Sequence, residues 1–136
     1  MNPVKRIPVA LISPLREIRD DAGKVLHTLE ANRKFALTLC DLLSDAGLAP
    51  FAGHAFYPEF LNDTIPEERI AGMENHLAWL SRARAAVVAP VRGVSNGMSF
   101  DIEAASAAGI SIFIWRPDES ASMLAGRITR AVVEEG

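Results

Sequence analysis

The sequence predicts an α/β fold, a Rossmann-like (flavodoxin-like) three-layer sandwich with a mainly parallel sheet of four to five strands. Short apolar segments alternate along the chain with longer segments that have helical periodicity. Strands joined through helices in this way pair in parallel, because the crossover connections are right-handed. The 136 residues, 49% hydrophobic and 23% charged, have the composition of an ordinary folded protein. We therefore expect a single domain over residues 1–136.

The first strand is predicted at Val9 to Ile12, an apolar run that ends at Ser13-Pro14. An uninterrupted run of this kind is typical of a parallel strand that is buried on both faces. It is far too short to cross a bilayer, so no membrane segment is expected. From Thr28 to Ala46, apolar residues recur at helical spacing, and Gly47 follows as a left-handed stop. This segment is the first predicted helix.

The second strand is predicted at Leu48 to Ala52, at a place in the sheet where the N–H that Pro50 lacks is not needed. Residues 54–63 have no regular period and are expected to form a loop. Thr64-Ile-Pro-Glu67 has the form of a capping box, which predicts a helix running to about Ala83. One face of that helix is apolar and consists of Ile70, Met73, Leu77 and Leu80.

The second half of the chain repeats the alternation. Ala85 to Val91 gives the strongest strand signal, and a helix is predicted from Met98 to Ala108, where Gly109 ends it. A further strand is predicted at Ile110 to Trp115. The last helix is predicted from Asp118 to Glu135.

Composition and charge argue against several classes of partner. The net charge is -3 and no run of Lys or Arg occurs, so polymeric nucleic acid is not an expected ligand. The single cysteine, Cys40, falls in a helical apolar stretch and is expected to be a buried thiol rather than part of a disulfide. No Cys, His and carboxylate spacing matches a zinc site, so we expect neither a metal nor a cofactor. We interpret the chain as cytoplasmic.

Ligands of open parallel sheets bind beyond the carboxyl ends of the strands, so the residues that follow each strand are the candidates for a site. Polar, aromatic or glycine residues follow each of the first three predicted strands and are expected to face one cleft. The candidates are Ser13, Arg16, His54, Tyr57, Ser95, Asn96, Gly97, Met98, Asp101 and Glu103.

The Ser95-x-Gly97 element lies at a predicted helix start. A hydroxyl, free N–H groups and the positive end of a helix dipole together suit a phosphate. The same residues are also explained by an ordinary N-cap and a turn glycine. Arg16, just past the first strand, can pair with the same phosphate through two hydrogen bonds, or it can be a surface arginine.

Recognition of a base and attack on a sugar need other side chains of the cleft. His54 and Tyr57 can form an aromatic wall for a base, or they can cover the end of the sheet, which is the role expected of Phe60. Asp101 and Glu103 are two residues apart on a helix, so only one of them is expected to point into the cleft. Asp101 can serve as a partner of the helix dipole or as a nucleophile at a sugar C1′.

Taken in order, these residues resemble the nucleoside 2-deoxyribosyltransferase superfamily, including its nucleoside 5′-monophosphate N-glycosidase branch and small, often phage-encoded domains of unassigned function. The resemblance covers roughly residues 7 to 115. The matching segments are Ser13-Pro-Leu-Arg16, Asn32, Pro50-Phe-Ala-Gly-His-Ala-Phe-Tyr57, Phe60-Leu-Asn-Asp63, Pro66-Glu-Glu-Arg69, Ser95-Asn-Gly-Met98 and Ala107-Ala-Gly-Ile110.

The resemblance implies that Ser95, Gly97 and Arg16 hold the 5′-phosphate of a substrate. It places the nucleophile at Asp101, where the family has a glutamate. The shorter side chain ends about 1.5 Å before the usual position. Glu103 has the residue type of the family but a different helical phase.

His76 is a second departure from the family pattern. It lies near the place where the larger members carry an aspartate that assists at the base or the sugar. A polar residue beside the buried face of its helix explains it somewhat better than a catalytic role does.

The resulting hypothesis is an enzyme that cleaves or exchanges the N-glycosidic bond of a (deoxy)nucleoside or its 5′-monophosphate through a carboxylate nucleophile. The expected partner is a small-molecule nucleotide or nucleoside, and the resemblance implies a homo-oligomer. One alternative is a catalytically weak module that binds or senses a nucleotide or a NAD-derived metabolite. Another is an interaction protein in which the cleft is incidental.

Overall fold

A four-stranded parallel sheet with helices on both faces forms the centre of the protein. The computed structural model describes residues 5–134. The strands in this range are β1 (Pro8–Ile12), β2 (Ile18–Arg19), β3 (Val25–His27), β4 (Ala49–Phe51), β5 (Ala85–Val88) and β6 (Ser111–Ile114). The sheet has the order β4-β1-β5-β6, and every neighbouring pair in it is parallel. The predicted Rossmann-like α/β architecture is therefore confirmed.

The helices form two layers. They are α1 (Leu29–Asp45), α2 (Gly53–Phe56), α3 (Pro66–Leu80), α4 (Asn96–Ala107) and α5 (Ala121–Glu134), with a 3₁₀ turn at Tyr57–Glu59. Successive side chains of β1 point to opposite faces of the sheet. Val9 and Leu11 pack with α1 and α5, whereas Ala10 and Ile12 pack with α3 and α4. The continuous apolar run of β1 is thus used on both faces.

The helix signals correspond to local contacts. Thr28 caps α1, because its hydroxyl accepts the N–H of Ala31 at 3.1 Å, and Gly47 follows the helix with a φ of 95°. Pro50 lies in β4, an edge strand of the sheet, where a missing N–H is tolerated as expected. No helix among residues 5–134 has both the length and the apolar character needed to cross a bilayer.

A small antiparallel hairpin of β2 and β3 was not predicted. Its turn is held by the Asp20 carboxylate, which accepts the N–H groups of Ala22 and Lys24 at 3.0 and 2.9 Å. Gly23 provides the left-handed residue, with a φ of 83°. Strands of two and three residues are too short to produce a recognisable alternation in the sequence.

The prediction of a capping box before α3 is wrong. The Thr64 hydroxyl donates to the side-chain oxygen of Asn62 at 2.7 Å, and Ile65 occupies the N-cap position without a side-chain cap. Pro66 is in the first turn, as expected. Competition from a nearby asparagine side chain explains the failure, because short polar side chains readily bond to neighbouring turn residues.

The apolar face predicted for α3 is only partly buried. Leu80 is buried, but Ile70 and Met73 are 54% and 42% exposed. The segment predicted as a strand to Val91 is extended only to Val88, because Pro90 begins a turn that Gly93 closes. The predicted end of the last helix at Glu135 lies outside the described residues.

Candidate functional site

A cavity of about 620 Å³ opens beyond the carboxyl ends of β1 and β5, within the size range of small-molecule sites. In the order β4-β1-β5-β6, the chain changes from one face of the sheet to the other between β1 and β5, where ligands of such folds bind. All candidate residues except Glu103 line this cavity: Ser13, Arg16, His54, Tyr57, Ser95, Asn96, Gly97, Met98 and Asp101.

Glu103 is the candidate that the structure does not bring to the cavity. It lies on α4 two residues after Asp101 and is exposed to solvent. A step of two residues rotates a side chain by about 200° around a helix, so the two carboxylates leave α4 in different directions. Asp101 is therefore the carboxylate of α4 that faces the cavity.

The first turn of α4 forms one wall of the cavity. The Ser95 hydroxyl accepts the N–H of Met98 at 3.2 Å and caps the helix, while Asn96 and Gly97 are exposed. A Cβ built on Gly97 would approach only the Ser95 hydroxyl, at 3.9 Å, and Gly97 has no positive φ. Neither packing nor backbone conformation therefore requires glycine at this position. Its lack of a side chain leaves the backbone N–H groups open to a ligand.

Arg16 and Asp63 lie at the mouth of the cavity. Their nearest charged atoms are 3.7 Å apart, and their side chains are 67% and 52% exposed. An ion pair this open to water contributes little to stability. The Arg16 guanidinium is therefore available to an anionic ligand. Arg69, which the sequence indicated only as part of the resemblance, also lines the cavity.

The buried side chain of Asn32 holds two of the cavity loops together. Its amide nitrogen donates to the carbonyl of Arg16 at 2.8 Å, and its oxygen accepts from Arg92 at 3.1 Å. The Arg92 guanidinium also lies 4.5 Å above the centre of the Phe35 ring. The loop after β1 and the turn after β5 are thus fixed to each other through α1.

His54 and Ser13 share a hydrogen bond of 2.8 Å between Nε2 and Oγ. The pKa of His54 is lowered to about 4, mainly by burial and also by nearby His76, while Asp101 opposes the shift. The imidazole is therefore uncharged at neutral pH. Its Nδ1 is buried without a hydrogen-bond partner among the described residues.

Asp101 is paired with His76. Nε2 of His76 lies 3.0 Å from Oδ2 of Asp101, and the two side chains are 11% and 15% exposed. His76 also lines the cavity, on the side of α3. The structure thus brings Asp101 and His76, the two residues that differ from the pattern of the resemblance, into contact with each other.

Three aromatic rings form a cluster next to the cavity. Tyr57 is buried and lines it, whereas Phe56 and Phe60 are exposed. The rings meet edge to face, with centroids 5.1 to 5.9 Å apart. Phe60, which we expected to cover the sheet, lies instead on the surface of this cluster.

Residues 8–115 match the family described as domain of unknown function (DUF7768). The chain belongs to the DUF7768 family. No curated protein matches its sequence. A solved 2-deoxyribosyltransferase from the psychrotolerant bacterium Bacillus psychrosaccharolyticus is similar to this DUF7768 domain with a TM-score of 0.58 and 16% identity, over 81% of this chain and 72% of that chain. At this identity the likeness is one of fold.

Metal ligands and the cysteine thiol also bear on the chemistry of this DUF7768 domain. Residues 5–134 contain no cluster of three or more His, Cys, Asp or Glu side chains that could hold a metal ion. Cys40 is partly buried, and burial raises the pKa of its thiol to about 11. The thiol is therefore protonated at neutral pH, which makes it a poor nucleophile.

Sequence reasoning missed the residues that affect the site indirectly, by holding its loops and side chains in place. Asn32 entered it only as part of the resemblance, although a polar residue on the buried face of an amphipathic helix is itself a signal. Gly53 carries no such signal, because the side chain that requires it, His76, lies on another helix.

Proposed function

We propose that this DUF7768 domain is an enzyme that cleaves or exchanges the N-glycosidic bond of a (deoxy)nucleoside or its 5′-monophosphate. The observation that carries the proposal is the pairing, in one cavity, of a shielded carboxylate with an exposed helix N-terminus. Asp101 is the nucleophile of the proposal, and the start of α4 binds the phosphate. The similar 2-deoxyribosyltransferase is described as a biocatalyst for the synthesis of nucleosides, which supports the substrate class.

Binding begins at the phosphate. The N–H groups at Asn96 and Gly97, the Ser95 hydroxyl and the Arg16 guanidinium all lie along the cavity wall and suit a dianion. The base lies toward Tyr57 and Met73, which give the cavity its apolar side. This orientation directs the sugar toward Asp101.

The reaction proceeds in two displacements. A carboxylate oxygen of Asp101 bonds to C1′, and the C1′–N bond breaks with its electron pair leaving on the base, which water in the cavity protonates. Water or a second base then displaces Asp101 from C1′, giving a free sugar or an exchanged nucleoside. In the hydrolytic case the proton of the attacking water passes to other water in the cavity, because burial lowers the pKa of His54 to about 4 and keeps its imidazole uncharged.

A second function is favoured by the length of Asp101. A carboxylate one methylene shorter than glutamate reaches less far into the cavity, and small displacements of a reacting group cost much of its rate. A domain with this site can therefore bind or sense a nucleotide or a NAD-derived metabolite with little turnover. Both functions use the same phosphate subsite.

The setting of the domain belongs to the same proposal. We propose that it acts in the cytoplasm, where its nucleotide substrates occur, as a member of the small, phage-type branch of the superfamily. Met73 and Phe100 line the cavity and are both exposed, and Trp79 is exposed on α3. Exposed apolar side chains near a site favour association of copies, which supports a homo-oligomer.

The test uses a panel of nucleosides and nucleoside monophosphates. Chromatography detects released base, and thermal shift detects binding. Asp101→Asn is expected to abolish base release and to leave affinity nearly unchanged, because the amide keeps the shape but loses the attacking charge. Glu103→Gln is the matched control on the same helix and should behave like the parent.

Other outcomes assign other functions. Binding without base release, in the parent and in both variants, favours the sensing module. An absence of binding to every nucleotide would favour an interaction protein with an incidental cleft. Loss of activity in Glu103→Gln with full activity in Asp101→Asn would move the nucleophile to Glu103.

A further inference from the structure

The imidazole ring of His76 is enclosed between β4 and the start of α2. Its centroid lies 6.0 Å from that of the Phe51 ring, at an interplanar angle of 51°. On another side it touches Gly53, where an added Cβ would overlap Nδ1 and lie 3.2 and 3.3 Å from Cγ and Cε1. Gly53 has no positive φ, so its backbone conformation does not demand glycine. The glycine is required by the ring that rests on it.

This packing fixes the direction of the ring nitrogens. Nδ1 faces Gly53, and Nε2 lies 3.0 Å from Oδ2 of Asp101. The two atoms lie at ion-pair distance, but Nε2 has no hydrogen-bond partner among residues 5–134. Because the ring is held by its packing, the Asp101 carboxylate is the group that has to turn to accept a hydrogen bond from Nε2. The Asp101 carboxylate makes no other ion pair within residues 5–134.

We propose that His76 is the positioning residue of Asp101. Once the carboxylate turns toward the ring, Nε2–H donates to Oδ2, fixes the rotamer of Asp101 and leaves Oδ1 for C1′ of the substrate. Gly53 is part of the same arrangement, since the side chain of any larger residue would displace the His76 ring from Asp101. The inference rests on the proposed role of Asp101 as nucleophile.

A direct role for His76 at the substrate is disfavoured by burial. Both of its ring nitrogens are shielded from solvent, with Nδ1 against Gly53 and Nε2 against Asp101, so neither nitrogen is open to a base or a sugar in the cavity. His76 therefore acts through Asp101. A hydrogen bond to one carboxylate oxygen restricts the side-chain torsions. This restriction matters most for a short side chain, because it can reach the substrate in only one orientation.

The first test measures the pair without any activity. In the ¹⁵N-labelled full chain at pH 7, long-range ¹H–¹⁵N spectra identify which imidazole nitrogens carry a proton. We expect a protonated Nε2 in His76, and a shift of its resonance in Asp101→Asn but not in Glu103→Gln. Gly53→Ala should abolish this dependence on Asp101. A bare Nε2 in the parent, or a resonance indifferent to Asp101→Asn, would overturn the proposal.

The second test measures base release. His76→Phe keeps a ring against Phe51 but removes the donor, and we expect kcat to fall roughly 10- to 150-fold, the range for a hydrogen bond to a charged group. KM should hardly change. His76→Gln places an amide N–H near the position of Nε2 and should recover most of the rate.

The outcomes separate the two proposals. Parental kcat in a folded His76→Phe variant, as judged by its thermal unfolding, would contradict the positioning role. Failure of His76→Gln to exceed His76→Phe would do the same, since a role in packing alone does not depend on a donor. If the parent itself releases no base, the proposed reaction fails, and the nitrogen spectra decide whether His76 holds Asp101.

Discussion

Arg16 and Asp101 bring opposite charges to one cavity and are paired in different ways. Arg16 is 3.7 Å from Asp63 in an exposed pair, whereas Asp101 is 3.0 Å from His76 in a shielded one. An exposed pair contributes about 0–1 kcal/mol and yields readily to a competing anion. A shielded pair holds its members in place, because separating them leaves an unpaired charge in a low dielectric. The first arrangement suits binding and the second suits positioning.

The availability of Arg16 leads to a prediction for affinity. Arg16→Ala should weaken a nucleoside monophosphate by roughly 1.5–3 kcal/mol, the range for hydrogen bonds to charged groups. The unphosphorylated nucleoside should lose almost nothing, because it has no group for the guanidinium. Calorimetry with both ligands measures the difference. Arg82→Ala, at an exposed arginine outside the cavity, is the matched control. Equal losses of affinity for the two ligands would mean that Arg16 does not bind the phosphate.

Residue-level prediction from sequence uses the direction that a side chain takes from its own helix. On α4 it indicated that only one of Asp101 and Glu103 would face the cleft, and Asp101 is the one that lines the cavity. It failed where the partner is remote. Asn32 bonds to Arg92, which is 60 residues away along the chain, and no local pattern announces that contact.

At the scale of elements, periodicity located the strands of the main sheet and the long helices, because it depends only on neighbouring residues. It misjudged what packs against them. Ile70 and Met73 share a face with the buried Leu80 on α3, yet both are largely exposed. An apolar stripe indicates a surface to be covered but does not identify the partner that covers it.

The sequence at the N-terminus of α4 favours ligand binding more than it favours the stability of the fold. Gly97→Ala should leave the free energy of unfolding unchanged or raise it by at most about 1 kcal/mol, since alanine is the better helix former. It should nevertheless weaken binding of a nucleoside monophosphate, because the new methyl group stands beside the N–H groups. Denaturant unfolding and calorimetry measure the two effects.

Gly126→Ala provides the matched control for this helix effect. Gly126 lies inside α5, and an added Cβ there would meet only the end of the Arg130 side chain, at 3.7 Å. The variant should stabilise the protein in the same way without changing affinity. A Gly97→Ala variant with parental affinity would show that no ligand approaches the first turn of α4.

For the whole molecule, the topology determines where residues from both layers meet. The strand order puts the ends of β1 and β5 side by side, so Ser13 and Ser95 line one cavity although they lie far apart in sequence. The alternation of strands and helices was enough to predict this edge of the sheet as the site. Which polar groups are shielded there depends on the packing of α2, α3 and α4 together, and this is a property of the folded chain alone.

That shielding makes the stability of the whole protein depend on pH. The pKa of His54 is lowered from 6.5 to about 4, mainly by burial, with His76 adding to the shift and Asp101 opposing it. Between these two values the unfolded chain binds more protons at this residue than the folded one, so stability rises with pH from about 4 to 6.5 and is lost as pH falls. The contribution of this residue is at most roughly 3.5 kcal/mol, since each pKa unit is worth about 1.4 kcal/mol.

We expect His54→Gln to flatten this pH dependence. Glutamine can still share a hydrogen bond with Ser13, but it has no proton to take up, so the loss of stability between pH 6.5 and 4 should be smaller than in the parent. Denaturant unfolding at several pH values measures the two slopes, and their difference isolates His54 from the carboxyl groups that titrate in both proteins. Identical slopes would mean that the folded protein admits a charged His54 at little cost, which would contradict the shielding on which the site depends.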